Sequence, residues 1–365
     1  MKILHVGYGG RGGAGRILID IAKHHSKDFV PSVILLGYSV DGDYLSELEA
    51  NGIPAFAILK KSRFDLGFLR RLKEKIALVE PQVVLFHSPV AYLWGRLPFI
   101  TERRKRIIIS VEHSSAPDYT KLALLWNLLL SVRTDKIICV SETVKNFLRS
   151  IWFPSEKLIV IENGVVVSDL AARNFMKSGT KTITMVARLA PPKDYETLFR
   201  AFRLVKRKGY AVLLNVVGDG PQRATLTKML QNLGIVNYVH FLGERKDVRD
   251  VLLRTDLFVL STRSEGLPIS LLEAMEAGCP VIASDIPAIS RIIEQGVNGI
   301  LVPCGDDVAL AHAMEVLIND PLTAERLSRN GRLLVERRYN ILNTVRKYEK
   351  LFIEMVDTHN MHLSV

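Results

Sequence analysis

Two glutamates eight residues apart, Glu265 and Glu273, enclose the stretch of this sequence with the clearest chemistry. Gly266 and Pro268 predict a turn in its first half, because proline lacks an N–H and its preset φ suits the start of a helix. A helix is therefore predicted over residues 269–277, carrying Glu273. The free N–H groups and positive dipole at a helix start suit a phosphate. Carboxylates beside such a site are suited to accept hydrogen bonds from sugar hydroxyls.

Two cations are predicted to lie near these glutamates. Arg188 stands at the end of an apolar strand predicted over 181–187, and Lys193 follows it after two prolines. Ligands of open α/β sheets bind beyond the carboxyl ends of the strands, so both cations are expected on the same side as the Glu265 loop. Together they would neutralise a diphosphate without a metal ion. The alternative is that they are solvated turn residues.

Two further strand ends carry candidate residues. Gly218 lies in the turn Val-Gly-Asp-Gly-Pro over 217–221, which indicates either a wall beside a nucleotide or a tight strand-to-helix connection. His113 follows another apolar strand, in Glu-His-Ser-Ser over 112–115. A histidine at the carboxyl end of a strand is well placed for a site, although many histidines are merely surface residues.

A glycine-rich loop over residues 7–15 follows the first strand and precedes a predicted helix. Gly7, Gly9 and Gly12 match the dinucleotide fingerprint G-x-G-x-x-G. That motif requires an acidic residue at the end of the next strand, and none occurs before Asp41. The loop therefore indicates a phosphorylated or sugar ligand, a structural turn without a ligand, or, least favoured, NAD.

Short apolar strands alternate with helical segments along the whole chain, which predicts an α/β protein with parallel sheets. A polar stretch with little periodicity lies at 168–180, after an Asn-Gly turn at 163–164, and marks a domain break. We expect an N-terminal domain over 1–165, a second domain over 166–340 and a C-terminal helix over 341–357 that packs on the first domain. The strands are predicted at 3–6, 32–36, 83–87, 106–112, 135–141, 181–187, 211–218, 256–261, 280–283 and 299–302.

The composition is that of a globular protein, with 48% hydrophobic residues and a net charge of +11 over 365 residues. No apolar stretch reaches the ~18 residues of a membrane span. The positive excess is larger in the N-terminal half and indicates either solvated surface or attraction to an anionic membrane. Nucleic acid is not expected, because aromatic residues do not alternate with the basic clusters. Three cysteines without paired spacing favour a reduced cytoplasmic compartment.

Taken together, Arg188, Lys193, Gly218 and the Glu265–Glu273 segment resemble the motifs of the retaining nucleotide-sugar glycosyltransferases of family GT4. The resemblance extends over nearly the whole chain. It implies the GT-B fold, in which two Rossmann-like domains face each other across a cleft. The absence of a Lys-Thr-Gly-Gly motif argues against a starch or glycogen synthase. The acidic residue that often follows the first glycines of the family is also missing here. The resemblance therefore does not define how the acceptor would be bound.

The resemblance also implies a role for each matching residue. Arg188 and Lys193 would hold the donor diphosphate and stabilise the leaving group, while Glu273 would bind the ribose hydroxyls. Glu265 would lie beside the donor sugar, which His113 would approach from the first domain. The remaining donor contacts would come from Gly12, Gly13, Gly218, Gly266 and Leu267. No cofactor or metal ion is expected, and no carboxylate is assigned as a catalytic base.

The leading hypothesis is therefore transfer of a sugar, with retention, from a nucleoside diphosphate to a saccharide or lipid-linked acceptor in polysaccharide or lipopolysaccharide synthesis. A UDP-sugar is favoured as donor. The protein is expected in the cytoplasm, with peripheral contact to the inner face of the membrane. The alternatives are a nucleotide-sugar epimerase of the same fold, a non-catalytic nucleotide-sugar-binding protein and a nucleic-acid binder.

Overall fold

A computed structural model describes residues 1–10, 12–61, 65–87, 95–99, 106–113, 121–169, 175–176 and 179–363. The chain divides into two compact units. The first comprises Met1–Val166 and Ile341–Val365, and the second comprises Val167–Asn340. Each unit is built on a parallel β-sheet of its own, with helices between successive strands.

The first unit has a seven-stranded sheet in the order β3-β2-β1-β4-β5-β6-β7. Its strands are β1 (Lys2–Tyr8), β2 (Val30–Gly37), β3 (Ala55–Leu59), β4 (Val83–His87), β5 (Ile107–Glu112), β6 (Lys136–Cys139) and β7 (Leu158–Val160). Its described helices are α1 (Gly13–Lys23), α2 (Gly42–Ala50), α3 (Leu66–Val79), α4 (Lys121–Leu130), α5 (Glu142–Ser150) and the C-terminal helix Ile341–Leu363.

The second unit has a six-stranded sheet in the order β10-β9-β8-β11-β12-β13. Its strands are β8 (Lys181–Val186), β9 (Val212–Val217), β10 (Val239–Gly243), β11 (Leu257–Leu260), β12 (Val281–Ser284) and β13 (Ile300–Val302). Its helices are α6 (Tyr195–Arg207), α7 (Arg223–Leu233), α8 (Val248–Leu253), α9 (Ile269–Glu276), α10 (Asp307–Asn319) and α11 (Pro321–Arg338). The C-terminal helix of the first unit is α12.

In both sheets the strand order reverses beside the first strand, between β1 and β4 and between β8 and β11. This is the doubly wound order of a Rossmann-like sheet, which binds its ligands at the point of reversal. All residues of β11 and β12 are buried, as expected for central parallel strands covered on both faces. The predicted α/β class with parallel sheets is confirmed.

The predicted strands all occur, with bounds shifted by at most two residues, whereas β3, β7 and β10 were not predicted. These three are edge strands. Composition does not distinguish them from the predicted strands, because β3 reads Ala-Phe-Ala-Ile-Leu and β7 reads Leu-Ile-Val.

Several helices begin where the sequence provides a short polar side chain. In each, a side-chain oxygen of the residue before the helix accepts a hydrogen bond from an N–H of the first turn, which satisfies one of its unpaired donors. These N-cap residues are Asp41, Asp65, Ser141, Asp194, Asp306 and Asp320.

The C-terminal helix α12 belongs to the first unit. The Ile341 N–H donates to the Val165 carbonyl at 2.9 Å, and the Thr344 hydroxyl donates to the Glu162 carbonyl at 2.9 Å. Further along, Tyr348 and Phe352 are fully buried. Among the described residues, no helix combines the length and apolar character that crossing a bilayer requires.

Candidate functional site

The loops that follow β8 and β11 are joined at the point where the second sheet reverses its strand order. The Asp194 N–H donates to the Ser261 carbonyl at 3.0 Å, and the Arg263 N–H donates to the Pro192 carbonyl at 3.0 Å. Lys193 and Thr262 also form an antiparallel bridge. Two segments that lie about seventy residues apart in the chain are thereby held side by side at the ligand-binding edge of the sheet.

Lys193 and Glu265, both predicted site residues, form an ion pair in these loops. The Lys193 ammonium donates to Oε1 of Glu265, and only 18% and 11% of the two side chains is exposed. Charges this far removed from water interact more strongly than surface pairs. The ion pair therefore fixes a lysine ammonium beside the carboxyl ends of the two central strands.

Arg188 lies two residues beyond β8, in the same loop as Lys193, and its side chain is exposed. Its guanidinium makes no hydrogen bond or ion pair within the described part of the chain. A planar guanidinium that keeps its donors available suits bidentate binding of a phosphate. A single loop thus carries Lys193, which is paired with Glu265, and Arg188, which is exposed. Both cations lie at the strand end where they were predicted.

Gly218 begins the turn after β9, which packs against the loop after β8. Its φ is +126°, and a Cβ at this position would lie 2.2 Å from the carbonyl oxygen of Ala187. Only glycine tolerates both the φ and the close approach. The Leu189 N–H donates to the Asp219 carbonyl at 3.0 Å, and the Gly218 N–H donates to the Gly243 carbonyl at 2.7 Å. The glycine turn therefore packs against the Arg188–Lys193 loop and is hydrogen-bonded to it.

Helix α9 begins at Ile269, as predicted, and ends at Glu276, one residue before the predicted end. Pro268 is its N-cap rather than its first residue. Gly266 and Leu267 are buried immediately before it. Glu273 lies one turn into the helix and is half-buried. Glu265 of the ion pair and the helix start thus belong to one continuous segment.

A second carboxylate on α9, which the sequence analysis did not single out, holds the start of the second unit. Glu276 has only 4% of its side chain exposed. Its carboxylate accepts hydrogen bonds from the Ser168 N–H at 3.1 Å, from Arg249 at 3.3 Å and from Arg332 at 3.3 Å. Arg332 also donates to the Ser168 carbonyl at 2.6 Å. Glu276 is thus a structural neighbour of the site, and no local pattern indicates its partners.

The glycine loop of the first unit follows β1 as predicted. The Gly9 N–H donates to the Leu36 carbonyl, and the Gly9 carbonyl accepts from the Asp41 N–H, both at 2.8 Å. Gly12 is the N-cap of α1, with a φ of +155°, and Gly13 is the first helical residue. The Asp41 carboxylate caps α2 by accepting from the Asp43 N–H. Asp41, the first acidic residue after the second strand, therefore caps a helix. Arg11 of the glycine loop lies outside the described residues.

His113 follows the last residue of β5, with its Nδ1 3.4 Å from Nδ2 of Asn163. Burial lowers the pKa of His113 to about 4, so its imidazole is neutral at physiological pH. Its Nε2 is buried and has no hydrogen-bond partner among the described residues. Ser114 and Ser115, the other residues of the predicted motif, lie outside the described residues.

Glu112, directly before His113, is fully buried. The Nδ2 of Asn127 donates to its Oε1 at 3.2 Å, and Asn127 in turn accepts a hydrogen bond from the buried guanidinium of Arg96. Burial raises the pKa of Glu112 to about 7. The site residues predicted from sequence therefore divide between the units. Gly12, Gly13 and His113 belong to the first unit, and the others belong to the second.

Comparisons with known proteins agree with this division. The model of "Glycosyltransferase Family 4" matches residues 11–169, and that of "Glycosyl transferases group 1" matches residues 168–334. The lipopolysaccharide core biosynthesis glycosyltransferase LpsD of Rhizobium meliloti (strain 1021) is 26% identical, over 96% of this chain and 98% of its own. An Escherichia coli UDP-Gal:alpha-D-GlcNAc-diphosphoundecaprenol alpha-1,3-galactosyltransferase is 26% identical, over 83% of this chain and 79% of its own.

Among solved structures, Anabaena HepE in complex with UDP and glucose superimposes with a TM-score of 0.83 and 21% identity. The match covers 97% of this chain and 100% of HepE. The two Rossmann-like sheets are those of the GT-B fold. With a family model matching each half, the chain belongs to the group 1, family 4 glycosyltransferases. The predicted family, fold class and enzyme class are confirmed.

Proposed function

We propose that this glycosyltransferase moves a hexose or N-acetylhexosamine from a UDP-sugar to a saccharide or lipid-linked acceptor, with retention of configuration, in lipopolysaccharide or other cell-surface polysaccharide synthesis. The observation that carries the proposal is the Lys193–Glu265 ion pair beside exposed Arg188 at the central strand ends. UDP in the HepE structure supports the choice of donor. The names of the R. meliloti and E. coli relatives support the choice of acceptor class.

In the proposed reaction, the bond between the anomeric carbon and the diphosphate oxygen breaks while an acceptor hydroxyl attacks from the same face. The hydroxyl proton passes to the departing diphosphate, so UDP leaves with the proton and the glycoside is neutral. Negative charge grows on the diphosphate as the bond breaks. Arg188 and Lys193 stabilise that charge, which is the main contribution of the protein to the rate. No metal ion or other cofactor takes part in this proposal.

The remaining residues position the donor. Glu265 orients Lys193 and accepts hydrogen bonds from the transferred sugar, while Glu273 accepts them from the ribose hydroxyls. His113 contributes a neutral imidazole to the sugar from the first unit. Backbone close to the donor comes from Gly12, Gly13, Gly218, Gly266 and Leu267.

A thermal-shift panel of UDP-, GDP- and ADP-sugars tests the choice of donor. A ligand that binds only the folded protein stabilises it by ~2.7 kcal/mol at one hundred times its Kd. We expect a concentration-dependent rise of the unfolding temperature with UDP-sugars. An equal rise with all three nucleotides, or with GDP-sugars alone, would contradict the UDP assignment.

Product analysis then tests the reaction itself. With a saccharide acceptor present, NMR of the product should show the same anomeric configuration as the donor. Without an acceptor, the donor sugar should remain chemically unchanged apart from slow hydrolysis. Conversion of the donor to its epimer would identify an epimerase, and binding without any turnover would identify a non-catalytic protein.

We also propose that the first unit contacts an anionic membrane peripherally, from the cytoplasmic side, to reach a lipid-linked acceptor. Helix α4 and the turn after it present an exposed apolar patch, made of Leu125, Trp126, Leu129 and Val132. The patch follows helical spacing along one face, and Arg133 lies next to it. Aromatic and aliphatic side chains with adjacent cations are typical of interfacial helices on anionic lipids.

Vesicle sedimentation tests this proposal. We expect binding to vesicles that contain phosphatidylglycerol, weaker binding to pure phosphatidylcholine, and a decrease when salt is raised. Trp126→Glu should weaken binding. Leu322→Glu changes a residue of the second unit that is 66% exposed, so it serves as the matched control. An equal loss in both variants, or no binding of the unaltered protein, would rule out the patch.

A further inference from the structure

Three histidines and a glutamate form a buried row through the first unit. His5 lies on β1, His87 is the last residue of β4, and His25 follows α1. His87 pairs with Gly7, two residues beyond His5, so His5 and His87 share one face of the sheet. His25 lies between this face and helix α12, which carries Glu349. The row therefore leads from the C-terminal helix to the carboxyl end of a central strand.

Each member of the row lies at hydrogen-bond distance from the next. Nδ1 of His25 is 3.1 Å from Oε1 of Glu349, Nε2 of His25 is 3.1 Å from Nε2 of His5, and Nδ1 of His5 is 3.1 Å from Nε2 of His87. The same Oε1 also accepts from the Ser26 N–H at 2.7 Å. The row is thus a continuous chain of ring nitrogens that ends on a carboxylate.

The three imidazoles of the row are neutral at physiological pH. Burial lowers the pKa of His5 and of His87 well below the usual value, and neighbouring imidazoles lower both further. Burial also lowers the pKa of His25, more than the Glu349 carboxylate raises it. A neutral imidazole has one N–H and one lone pair. Each ring must therefore donate to one neighbour and accept from the other, so the whole row has a single direction.

The carboxylate sets that direction, because it can only accept. His25 must donate from Nδ1 to Glu349, which leaves its Nε2 as an acceptor for the Nε2–H of His5. Nδ1 of His5 then accepts from the Nε2–H of His87. Consequently Nδ1 of His87 carries a lone pair. This nitrogen is buried and has no hydrogen-bond partner among the described residues.

The ring of His113 lies next to this end of the row, with its centroid 6.1 Å from that of His87. With Asn163 donating to Nδ1 of His113, the Nε2 of His113 carries the N–H. Neighbouring rings thus offer one acceptor, on His87, and one donor, on His113, that no described residue uses. A hydroxyl group both donates and accepts, so a single hydroxyl satisfies the pair.

We propose that Glu349 is a positioning residue that fixes the tautomers of His25, His5 and His87, so that His87 and His113 together hold one hydroxyl of a bound saccharide. The saccharide in this inference rests on the proposed function. The direction of the hydrogen bonds in the row does not rest on the proposed function, because it follows from the contacts and the neutral imidazoles of the protein itself. Glu349 would then affect sugar transfer from the helix α12 side of the row, through the ring of His87.

Nitrogen-15 NMR of histidine-labelled protein tests the tautomers without donor or acceptor. Two-bond proton–nitrogen correlations distinguish a protonated ring nitrogen from an unprotonated one. In the unaltered protein we expect an unprotonated Nδ1 on His87 and a protonated Nδ1 on His25. A protonated Nδ1 on His87 would overturn the proposal. This measurement stands even if every variant of Glu349 fails to fold.

Two variants separate the tautomer role from packing. In Glu349→Gln the Ser26 N–H selects the amide oxygen, which still accepts from His25, so the tautomers should be retained. In Glu349→Met the side chain has a similar size but no such acceptor, and both directions of the row then contain equal numbers of hydrogen bonds. We expect mixed tautomers at His87 in the methionine variant, and unchanged tautomers there would overturn the proposal.

Transfer kinetics complete the test. Because about half of the Glu349→Met molecules keep the competent tautomer of His87, kcat should fall about twofold in this variant, with most of the rate restored in the glutamine variant and the Kd of UDP-glucose unchanged in both. Glu354→Met, on the same helix with 61% of its side chain exposed, is the control. An unaltered kcat despite mixed tautomers would overturn the link to the sugar. Absence of transfer by the unaltered protein, with the expected tautomers, would contradict the proposed function instead.

Discussion

Replacing Lys193 with alanine is expected to lower kcat/KM for sugar transfer by roughly 10²- to 10³-fold, the usual effect of losing one preorganised donor to a developing oxyanion. The ammonium is largely withdrawn from water and fixed by Glu265, so in the proposed site its charge acts on the diphosphate with little solvent screening. Steady-state kinetics with a UDP-sugar and a saccharide acceptor measure the effect. Most of it should fall on kcat, because the charge on the leaving group grows towards the transition state.

Lys208→Ala is the matched control for this variant. Lys208 also forms an ion pair with a glutamate, Glu315, at 2.8 Å, but 60% of its side chain is exposed and it lies at the end of α6. The control should keep the kinetics of the unaltered protein. Lys193→Ala leaves the largely buried Glu265 carboxylate without this cation, so it should unfold at a lower temperature than the control, and the kinetics are compared below both unfolding temperatures. If Lys193→Ala kept more than half of the original kcat/KM, the assignment of the leaving-group site would be wrong.

Replacing Glu276 with alanine is expected to lower the free energy of unfolding by ~3–5 kcal/mol, the range observed when one partner is removed from a buried ion pair. Its carboxylate is nearly inaccessible and is shared by Arg249, Arg332 and the Ser168 N–H. Without it, Arg332, whose side chain is only 16% exposed, keeps Glu336 at 2.7 Å but loses its other carboxylate partner. Urea unfolding followed by circular dichroism measures the change.

Glu196→Ala provides the comparison at the surface. Glu196 pairs with Arg200 one turn along α6, and 54% of each side chain is exposed. Exposed pairs of this spacing contribute only ~0.3–0.5 kcal/mol. A loss below ~1 kcal/mol in Glu276→Ala would show that Ser168 and the two arginines find other partners, and would refute the structural role of this carboxylate.

The central strands and the loops after them were predictable because their causes are local. β11 is apolar along its length, β8 alternates Thr182 and Thr184 with Ile183 and Met185, and proline and glycine mark the turns that follow. Strand alternation predicted that both loops reach the same edge of a parallel sheet. The prediction that Lys193 and Glu265 lie together needed only that edge and the spacing of the motifs. The ion pair between them, by contrast, was not predicted.

Glu273 and Glu276 show that local sequence patterns do not predict long-range contacts. Both are glutamates on the same eight-residue helix, and only Glu273 matched a motif. The partners of Glu276 are Ser168, Arg249 and Arg332, which lie 108, 27 and 56 residues away in the sequence. The spacing of apolar residues does not predict contacts between residues so far apart.

By itself, the sequence determined the α/β class and the family, and it predicted the site residues of the second unit, because turn residues, apolar runs and short motifs act over a few positions. Only the tertiary structure decided which side chains share hydrogen bonds. The order of the strands places His5 beside His87, and α12 brings Glu349 to His25 across 324 residues. Burial then keeps the imidazoles neutral, and neutrality with a carboxylate at one end determines the direction of the row.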